Sequence, residues 1–275
     1  MKRDEMVVFT RTILNAVPAG VSPQRDLDPL KSDIEYLGDI IGGARSHLPS
    51  MQHRIKRIFD IVCASIALLL LSPVILAAAV LIKIESNGPV FFMQERIGIN
   101  RRRGDRRGNP AGDGLPSCER RRSDRRKEIN AGKPFSIYKL RTMRTDAEKE
   151  GPALSCKGDP RITRVGSFMR RARIDEIPQF INVIRGDMSI IGPRPERSFY
   201  INMVRQDIPE FPLRLRVKPG ITGLAQVENG YANTVDEMAD KLFYDLKYIS
   251  EFSLLQELKI LFKTVFVVVS GKGAC

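Results

Sequence analysis

The 275 residues suffice for one sizeable hydrophobic core with a small appendage. A net charge of +13 and a pI near 9.8 indicate an acidic partner, which is nucleic acid, anionic lipid or a phosphorylated substrate. The four cysteines form no CxxC pair, and both histidines precede the long apolar segment, which argues against a zinc site, a disulfide framework and a histidine base.

Residues 1–53 form a predicted N-terminal extension. The first twenty residues contain no sustained apolar stretch, and Arg11 interrupts what there is, so they lack the pattern of a cleavable secretory signal. Prolines punctuate the rest of this region, at Pro18, Pro23, Pro29 and Pro49. We therefore expect residues 1–50 to be loosely structured.

The segment from Ile61 to Ile82 is the first strong signal, because it has no charged residue in 22 positions. As a straight helix it would measure roughly 33 Å, which is enough to cross a bilayer core. A buried core helix rarely runs this long without a polar face. The sequence therefore predicts that this segment enters a membrane.

The direction of insertion depends on the flanks of this segment and on Ser72-Pro73 near its midpoint. Basic residues lie on both sides: Arg54, Lys56 and Arg57 before it, and Lys83, Arg96 and Arg101 to Arg103 after it. Cytoplasmic flanks carry excess lysine and arginine, which favours a re-entrant helix–break–helix hairpin over residues 54–84. The carbonyls freed by the proline need partners, which Ser72 or packed protein can supply. Charge alone leaves a spanning helix open.

Residues 101–131 carry ten arginines and one lysine against five acidic residues. This glycine-containing stretch has few apolar residues and predicts a disordered insertion in a cytoplasmic domain of residues 85–270. Attraction to anionic lipid and a solvated loop without a ligand both remain open. Nucleic-acid binding is less favoured, because no aromatic stacking residue is interleaved. If the protein were a membrane-anchored scaffold that binds nucleic acid through this stretch, removing the stretch would abolish salt-sensitive binding of nucleic acid.

The chemistry is predicted to lie in residues 134–230. Residues 134–143 alternate as a strand that would direct Lys139 and Arg141 to one side, and we count both as substrate-binding candidates. The pair Asp175-Glu176 precedes Pro178 and an apolar periodic run, so a helix should begin near Asp175. At a helix start, the pKa of that acid would be lowered, and free backbone amides would point toward a bound phosphate.

Arginines surround this acidic pair at Arg170, Arg171 and Arg173. A carboxylate held ionised among arginines is suited to attack phosphorus and form an acyl phosphate. Taken alone, however, an Asp-Glu pair at a helix start is ordinary capping. The prolines of Gly192-Pro193-Arg194-Pro195 would pre-organise a phosphate-binding guanidinium. Gly220 and Gly223 would permit a close approach of the backbone to a ligand.

Near the C-terminal end, apolar residues follow steps of four and three, at Leu254, Leu258, Leu261, Val265 and Val268. Polar residues such as Lys259 and Lys263 fall on another face, which predicts an amphipathic helix. This helix either covers the soluble core or lies in the membrane interface.

The order of these blocks resembles the bacterial sugar transferase family, the monotopic phosphoglycosyl transferases. The resemblance runs from about Arg54 to Val269 and rests on FDIVCASIALLLLSPV, QERIG, YKLRTM, DPRITRVGSFMRRARIDEIPQFINVIRGDMSIIGPRP and KPGITGLAQV. The expected fold is α/β (α+β), mostly helical and membrane-associated, with a re-entrant hairpin and amphipathic interface helices. The expected location is the cytoplasmic face of the bacterial inner membrane. Family members usually lack the basic insertion.

The resemblance implies Mg²⁺-dependent transfer of a sugar 1-phosphate from a UDP-sugar to undecaprenyl phosphate, with release of UMP. Such a step initiates exopolysaccharide, capsule, O-antigen or glycoprotein glycan assembly. By resemblance, Asp175 is the nucleophile and Glu176 its partner in metal binding. The donor-phosphate site would be lined by Arg170, Asp187, Pro193, Arg194 and Pro195. A homo-oligomer is possible on this basis. A catalytically silent assembly factor would need neither the acidic pair nor the GPRP block.

Overall fold

A computed structural model describes residues 28–43, 50–99, 132–147, 149, 158–229 and 235–270. The basic insertion predicted at 101–131 lies outside these ranges. As expected, the described chain is mostly helical. Its α-helices are α1 (Asp28–Gly43), α2 (Ser50–Glu85), α3 (Arg164–Arg171), α4 (Gln179–Arg185), α5 (Ser198–Asp207), α6 (Leu224–Glu228), α7 (Val235–Ser250) and α8 (Leu254–Ser270).

Two small sheets organise the globular part. Strands β1 (Phe91–Ile97) and β2 (Pro134–Leu140) pair antiparallel, and strands β3 (Ser189–Ile191) and β4 (Gly220–Thr222) pair parallel. Two 3₁₀ helices, Ile174–Glu176 and Phe211–Arg216, connect these elements. The second sheet is fully covered at Ser189 to Ile191, so β3 is a fixed base for the chain that follows it.

Helix α2 contains the long apolar segment. Within the described ranges it is the one helix long and apolar enough to cross a membrane, over Met51–Glu85 with a mean hydropathy of 2.7. Only 11% of its most apolar stretch is buried by protein, and Leu69 and Leu76 are 74% and 68% exposed. A core helix would be covered by its neighbours. The uncovered apolar middle of α2 is therefore compatible with membrane association.

Pro73 lies inside α2 without ending it, so the predicted break does not appear as an interruption of the helix. Proline has no backbone N–H, and the carbonyl of Leu69 loses its usual helical donor. The hydroxyl of Ser72 donates to that carbonyl at 2.8 Å. The role predicted for Ser72 is confirmed, and this bond explains how the helix continues through the proline.

Both ends of α2 contact the same globular part. At the first end, Arg57 donates to the carbonyls of Val183 and Ile184, and Asp60 accepts from the amide of Ile190. At the other end, the carboxylate of Glu85 accepts from the amide of Val165. The two flanks of the apolar segment are thus tied to one body.

Helix α1 departs from the expectation of a loosely structured extension. Ile34 and Ile41 are 2% and 4% exposed and belong to a core formed with α5, α7 and the second 3₁₀ helix. The guanidinium of Arg216 also donates to the carbonyl of Ile41. The helix was not predicted because the prolines around this segment suggested a loop. Tertiary packing stabilises the segment as a helix.

Helix α8 directs its predicted apolar stripe away from the core. Leu258, Val265 and Val268 are exposed, and Phe262 adds a further exposed ring. The face packed against the protein carries Ile260, which is 1% exposed. The helix therefore covers the core with one face and presents an apolar face outward.

The packing of α1 can be tested with Ile34→Ala. Removal of a buried branched side chain should cost about 2 to 5 kcal/mol. The melting temperature in detergent should fall by several degrees relative to the wild type. The matched control is Tyr36→Ala on the same helix, whose side chain is 67% exposed and whose loss should leave the melting temperature nearly unchanged. Equal melting temperatures for the two variants would contradict the packing of α1.

Candidate active site

Strand β2 and helix α4 are joined by one buried side chain. Asn182 is fully buried, accepts from the amide of Tyr138 at 3.0 Å and donates to the carbonyl of Ser136 at 2.7 Å. Lys139 follows directly on the strand, and the acidic pair precedes α4. The amide of Asn182 therefore sets the spacing between Lys139 and Glu176.

Asp175 and Glu176 lie in the 3₁₀ helix rather than at the start of an α-helix, which corrects the predicted position. Helix α4 begins only at Gln179, with Pro178 before it. The chain turns at Arg173, whose φ of 57° lies in the left-handed region. Such a conformation costs a residue other than glycine about 1 to 2 kcal/mol. The predicted effect of an α-helix terminus on Asp175 consequently does not arise.

Glu176 is held by basic side chains from three directions. Its Oε1 accepts from Lys139 Nζ at 2.9 Å and from Arg194 Nη2 at 2.7 Å, and Arg173 Nη1 lies 4.0 Å from Oε2. Burial by itself would raise the pKa of this carboxyl. The adjacent Arg194 and Lys139 outweigh burial and hold the pKa of Glu176 well below its usual range.

Asp175 behaves differently, although it is the next residue. It is 7% exposed, and burial, together with the negative charge of Glu176, raises its pKa above the ordinary value. Lys139, Arg170 and Arg194 act in the opposite direction. The expectation of a lowered pKa at Asp175 is therefore wrong, because burial and the charge of Glu176 outweigh the three cations. The pair divides into one strongly ionised and one more basic carboxylate.

Arg170 approaches the pair from the end of α3. Its Nε donates to the hydroxyl of Thr142 at 2.9 Å. Gly166 allows this approach, since a Cβ there would lie 2.1 Å from the carbonyl of Thr142. Any larger residue at this position would push α3 away from Thr142 and take Arg170 with it.

The GPRP block leaves strand β3 and carries Arg194 to Glu176. Pro193 and Pro195 line a small cavity of about 10 Å³ beside Arg194 and Arg214. The glycines of KPGITG permit a close approach, as predicted, but the group that approaches them here is the protein's own backbone. A Cβ at Gly220 would lie 2.1 Å from the amide of Gly192, so the close approach is between two backbone segments. This contact holds the start of the block in place.

Two predicted site residues make contacts away from the acidic pair. Arg141 lies one residue past β2, is 6% exposed, and donates to the carbonyls of Ser86 and Asn87 at the end of α2. Asp187 is 3.9 Å from the guanidinium of Arg185. Neither contact reaches the acidic pair. Lys139, Arg170 and Arg194 are the predicted basic residues that the fold gathers around the carboxylates.

Sequence reasoning missed several buried charged residues behind the GPRP block. Arg214 is 3% exposed and Asp245 is 1% exposed, and the guanidinium of Arg214 lies 2.7 Å from Asp245 Oδ2. Arg96 donates to the carbonyl of Pro195 at 3.1 Å. A usable signal was the carboxylate of Asp245 between Leu242 and Leu246 on the buried face of α7.

An Mg²⁺ ion in a protein is bound mainly by oxygen atoms, which carboxylates can supply. In the described ranges no group of three or more His, Cys, Asp or Glu side chains could hold a metal ion by themselves. Mg²⁺ usually keeps several waters and binds through one or two carboxylates together with substrate phosphates. Asp175 and Glu176 fit that pattern as the protein's share of a site completed by a diphosphate.

Residues 51–104 and 123–271 match the family model for bacterial sugar transferases. The chain belongs to this family, as the motif order indicated. The match passes over residues 105–122, inside the basic stretch. The acidic pair and the GPRP block both lie within the matched residues.

Individual relatives have more specific names. The chain is 42% identical over 220 residues to the UDP-N-acetylgalactosamine-undecaprenyl-phosphate N-acetylgalactosaminephosphotransferase of Aeromonas hydrophila, covering 80% of this chain and 45% of the relative. It is 38% identical over 212 residues to a UDP-glucose:undecaprenyl-phosphate glucose-1-phosphate transferase of Caulobacter vibrioides, covering 76% and 68%. The exopolysaccharide production protein PSS of Rhizobium leguminosarum is 36% identical over 80% of this chain and 98% of its own length. The chain spans less than half of the Aeromonas relative.

The backbone contact behind Arg194 can be tested with Gly220→Ala. The added Cβ would meet the amide of Gly192, so β3 and β4 should separate and Arg194 should shift away from Glu176. We expect a lower melting temperature and at least a tenfold loss of transferase activity. The control is Gly38→Ala in α1, where the nearest atoms are flexible side-chain carbons at 3.3 Å. A fully active Gly220→Ala variant would contradict this role of the glycine.

Proposed function

We propose that the protein transfers a sugar 1-phosphate from a UDP-sugar to a polyprenyl phosphate and releases UMP. The observation that carries this proposal is the buried pair Asp175-Glu176 with Lys139, Arg170 and Arg194 around it. The names of the Aeromonas and Caulobacter relatives describe this reaction class and support it. The name of the Rhizobium relative supports exopolysaccharide production as its setting.

Charge explains why the arginines and the lysine are needed. A UDP-sugar brings a diphosphate, which a bare carboxylate repels at short range. Lys139, Arg170 and Arg194 supply positive charge next to the acids, and the fixed guanidinium of Arg194 matches two phosphate oxygens. The same cations would compensate the charge that develops on the departing UMP.

Asp175 is the nucleophile in this proposal. One of its carboxylate oxygens forms a bond to the phosphorus that carries the sugar, and the bond from that phosphorus to the bridging oxygen breaks. UMP leaves with the bridging oxygen and its electron pair. An oxygen of the polyprenyl phosphate then attacks the same phosphorus, which frees the Asp175 carboxylate and forms the polyprenyl diphosphate sugar. A raised pKa suits Asp175 to this role, because a more basic carboxylate is a better nucleophile.

Glu176 would hold Mg²⁺ together with the donor diphosphate, with Asp175 beside it. When bound, the ion would neutralise phosphate charge and orient the diphosphate. Glu176 is suited to this because it stays ionised among Arg194 and Lys139. Lys139 and Arg194 then hold the carboxylate in a fixed direction while the diphosphate enters.

The same proposal places the protein at the cytoplasmic face of a bacterial inner membrane. Helix α2 would enter the bilayer, bend at Pro73 and return on the same side, because both of its ends bond to one globular part. The outward apolar face of α8 would lie in the interface near this helix. A polyprenyl phosphate, whose chain lies in the bilayer, then meets the site without leaving the membrane.

The covalent route predicts a burst with donor alone. Incubated with the UDP-sugar that it turns over, from a panel including UDP-glucose and UDP-N-acetylgalactosamine, the wild type should release about one UMP per active site and gain the mass of a sugar phosphate. Asp175→Asn should do neither and should lose about three orders of magnitude in turnover. UMP release and intact-protein mass spectrometry measure the two effects.

The matched control is Asp146→Asn, the same change at an exposed acid that pairs with Arg144. It should give the wild-type burst and mass gain. If the Asp175→Asn variant turned over near the wild-type rate, or if UMP appeared only after polyprenyl phosphate was added, transfer would be direct and the covalent intermediate would be excluded.

The topology of α2 is testable with single cysteines at Arg54 and Asn87, which are both exposed at its two flanks. In a background without the four native cysteines, both positions should react with an impermeant maleimide only in inside-out vesicles. The reason is that the two flanks share one globular part. A cysteine retained only at Cys63, inside the apolar segment, is the control and should react poorly from either side. Labelling of the two flanks from opposite sides would show a spanning helix.

A further inference from the structure

The backbone that carries Arg194 is held at every carbonyl from residue 193 to residue 196. The donors come from different elements: the amide of Gly220 binds Pro193 O at 2.9 Å, Arg214 Nη2 binds Arg194 O at 3.0 Å, Arg96 Nη1 binds Pro195 O at 3.1 Å, and the amide of Ile97 binds Glu196 O at 3.0 Å. Two of these donors are arginine side chains. The carbonyl of Arg194 itself depends on Arg214.

Arg214 is anchored from behind. It extends from the second 3₁₀ helix, is 3% exposed, and its guanidinium lies 4.8 Å from the centre of the Phe211 ring. Asp245 on α7 forms the ion pair with the same Nη2 that binds the carbonyl of Arg194. One guanidinium nitrogen thus connects α7 to the backbone of the residue that pairs with Glu176.

A buried ion pair of this kind is a weak source of stability, because removing two charges from water offsets most of their attraction. A guanidinium also has a fixed fork of donors, whereas a lysine has one compact ammonium on a flexible stem. Arg214 reaches both Asp245 and the carbonyl of Arg194 with Nη2, and the planar guanidinium fixes that nitrogen between them. The arrangement is therefore better explained by directing Arg194 than by stabilising the fold.

We propose that Arg214, anchored by Asp245, is a positioning residue that fixes the direction in which Arg194 presents its guanidinium to Glu176 and to the donor diphosphate. This inference rests on the proposed function of Arg194. Arg214 acts through Arg194 and touches neither reacting atom. Its contribution to turnover exists only while the Arg194 side chain is present.

A double-mutant cycle tests this dependence. Arg214→Lys, Arg194→Ala and the double variant are purified in detergent, and kcat/KM is measured by UMP release with undecaprenyl phosphate and the UDP-sugar that the wild type turns over fastest. Arg194→Ala should lose at least about a hundredfold, as for removal of a charge-stabilising group. Arg214→Lys should lose about tenfold in the native background and less than twofold in the Arg194→Ala background.

The matched control is Arg216→Lys, the same change two residues away in the same 3₁₀ helix. Its guanidinium binds the carbonyl of Ile41 in α1 and not the GPRP block. It should change kcat/KM less than twofold in either background. A purely structural role for Arg214 would lower the folded fraction in both backgrounds by the same factor, which separates that role from positioning.

The outcomes are distinct. A tenfold effect of Arg214→Lys that persists in the Arg194→Ala background would overturn the positioning role and leave the proposed function intact. An Arg194→Ala variant with wild-type activity would overturn the proposed role of Arg194 itself. If Arg214→Lys does not accumulate as folded protein, Asp245→Asn is measured in the same cycle, with the same requirement that its effect disappear without the Arg194 side chain.

Discussion

Two adjacent carboxylates are buried in this protein, and the need to balance their charge determines much of the surrounding arrangement. Burial of an ionised carboxylate is costly unless cations and hydrogen bonds compensate it. The compensating groups come from β2, from the end of α3 and from the chain after β3, so distant parts of the sequence must converge. Asn182 and the contact between Gly192 and Gly220 are the local devices that bring these parts into register.

The two acids lie in one environment, but their pKa values shift in opposite directions. Arg194 and Lys139 bind the carboxylate of Glu176 directly, whereas Asp175 experiences them only at longer range. Burial and the neighbouring negative charge of Glu176 then make Asp175 the more basic of the two. Such a division resembles other carboxylate pairs in which environment, not residue type, sets the role.

Residues with local signals were predictable. Short motifs contain Asp175, Glu176 and Arg194. The apolar segment with Ser72-Pro73 predicted α2 and also the hydrogen bond from Ser72 to the carbonyl that the proline leaves without a donor. Arg214 and Asp245 were not predictable in the same way, because each is an isolated charge whose partner lies far along the chain. Arg141 was predicted to lie on one side of the strand with Lys139, but the strand ends one residue before it and its guanidinium binds the chain at the end of α2.

Two expectations were wrong for related reasons: that the N-terminal extension is loosely structured, and that an α-helix begins near Asp175. The packing of Ile34 and Ile41 depends on α7, which no local pattern in residues 28–43 reveals. The position of α4 depends on the left-handed turn at Arg173, which propensity disfavours and tertiary contacts impose. In both places long-range packing prevailed over the local preference.

The bonds between α2 and the two segments beside the acidic pair have a consequence for the encounter with lipid. Arg57 binds the end of α4, and Asp60 binds β3, so one turn of the helix holds the chain at two points that follow the carboxylates in sequence. In the proposed membrane arrangement, the height of the site above the headgroups is then set by a rigid turn and not by a linker. A lipid phosphate confined to that plane reaches the site by lateral diffusion alone, so its search has two dimensions instead of three.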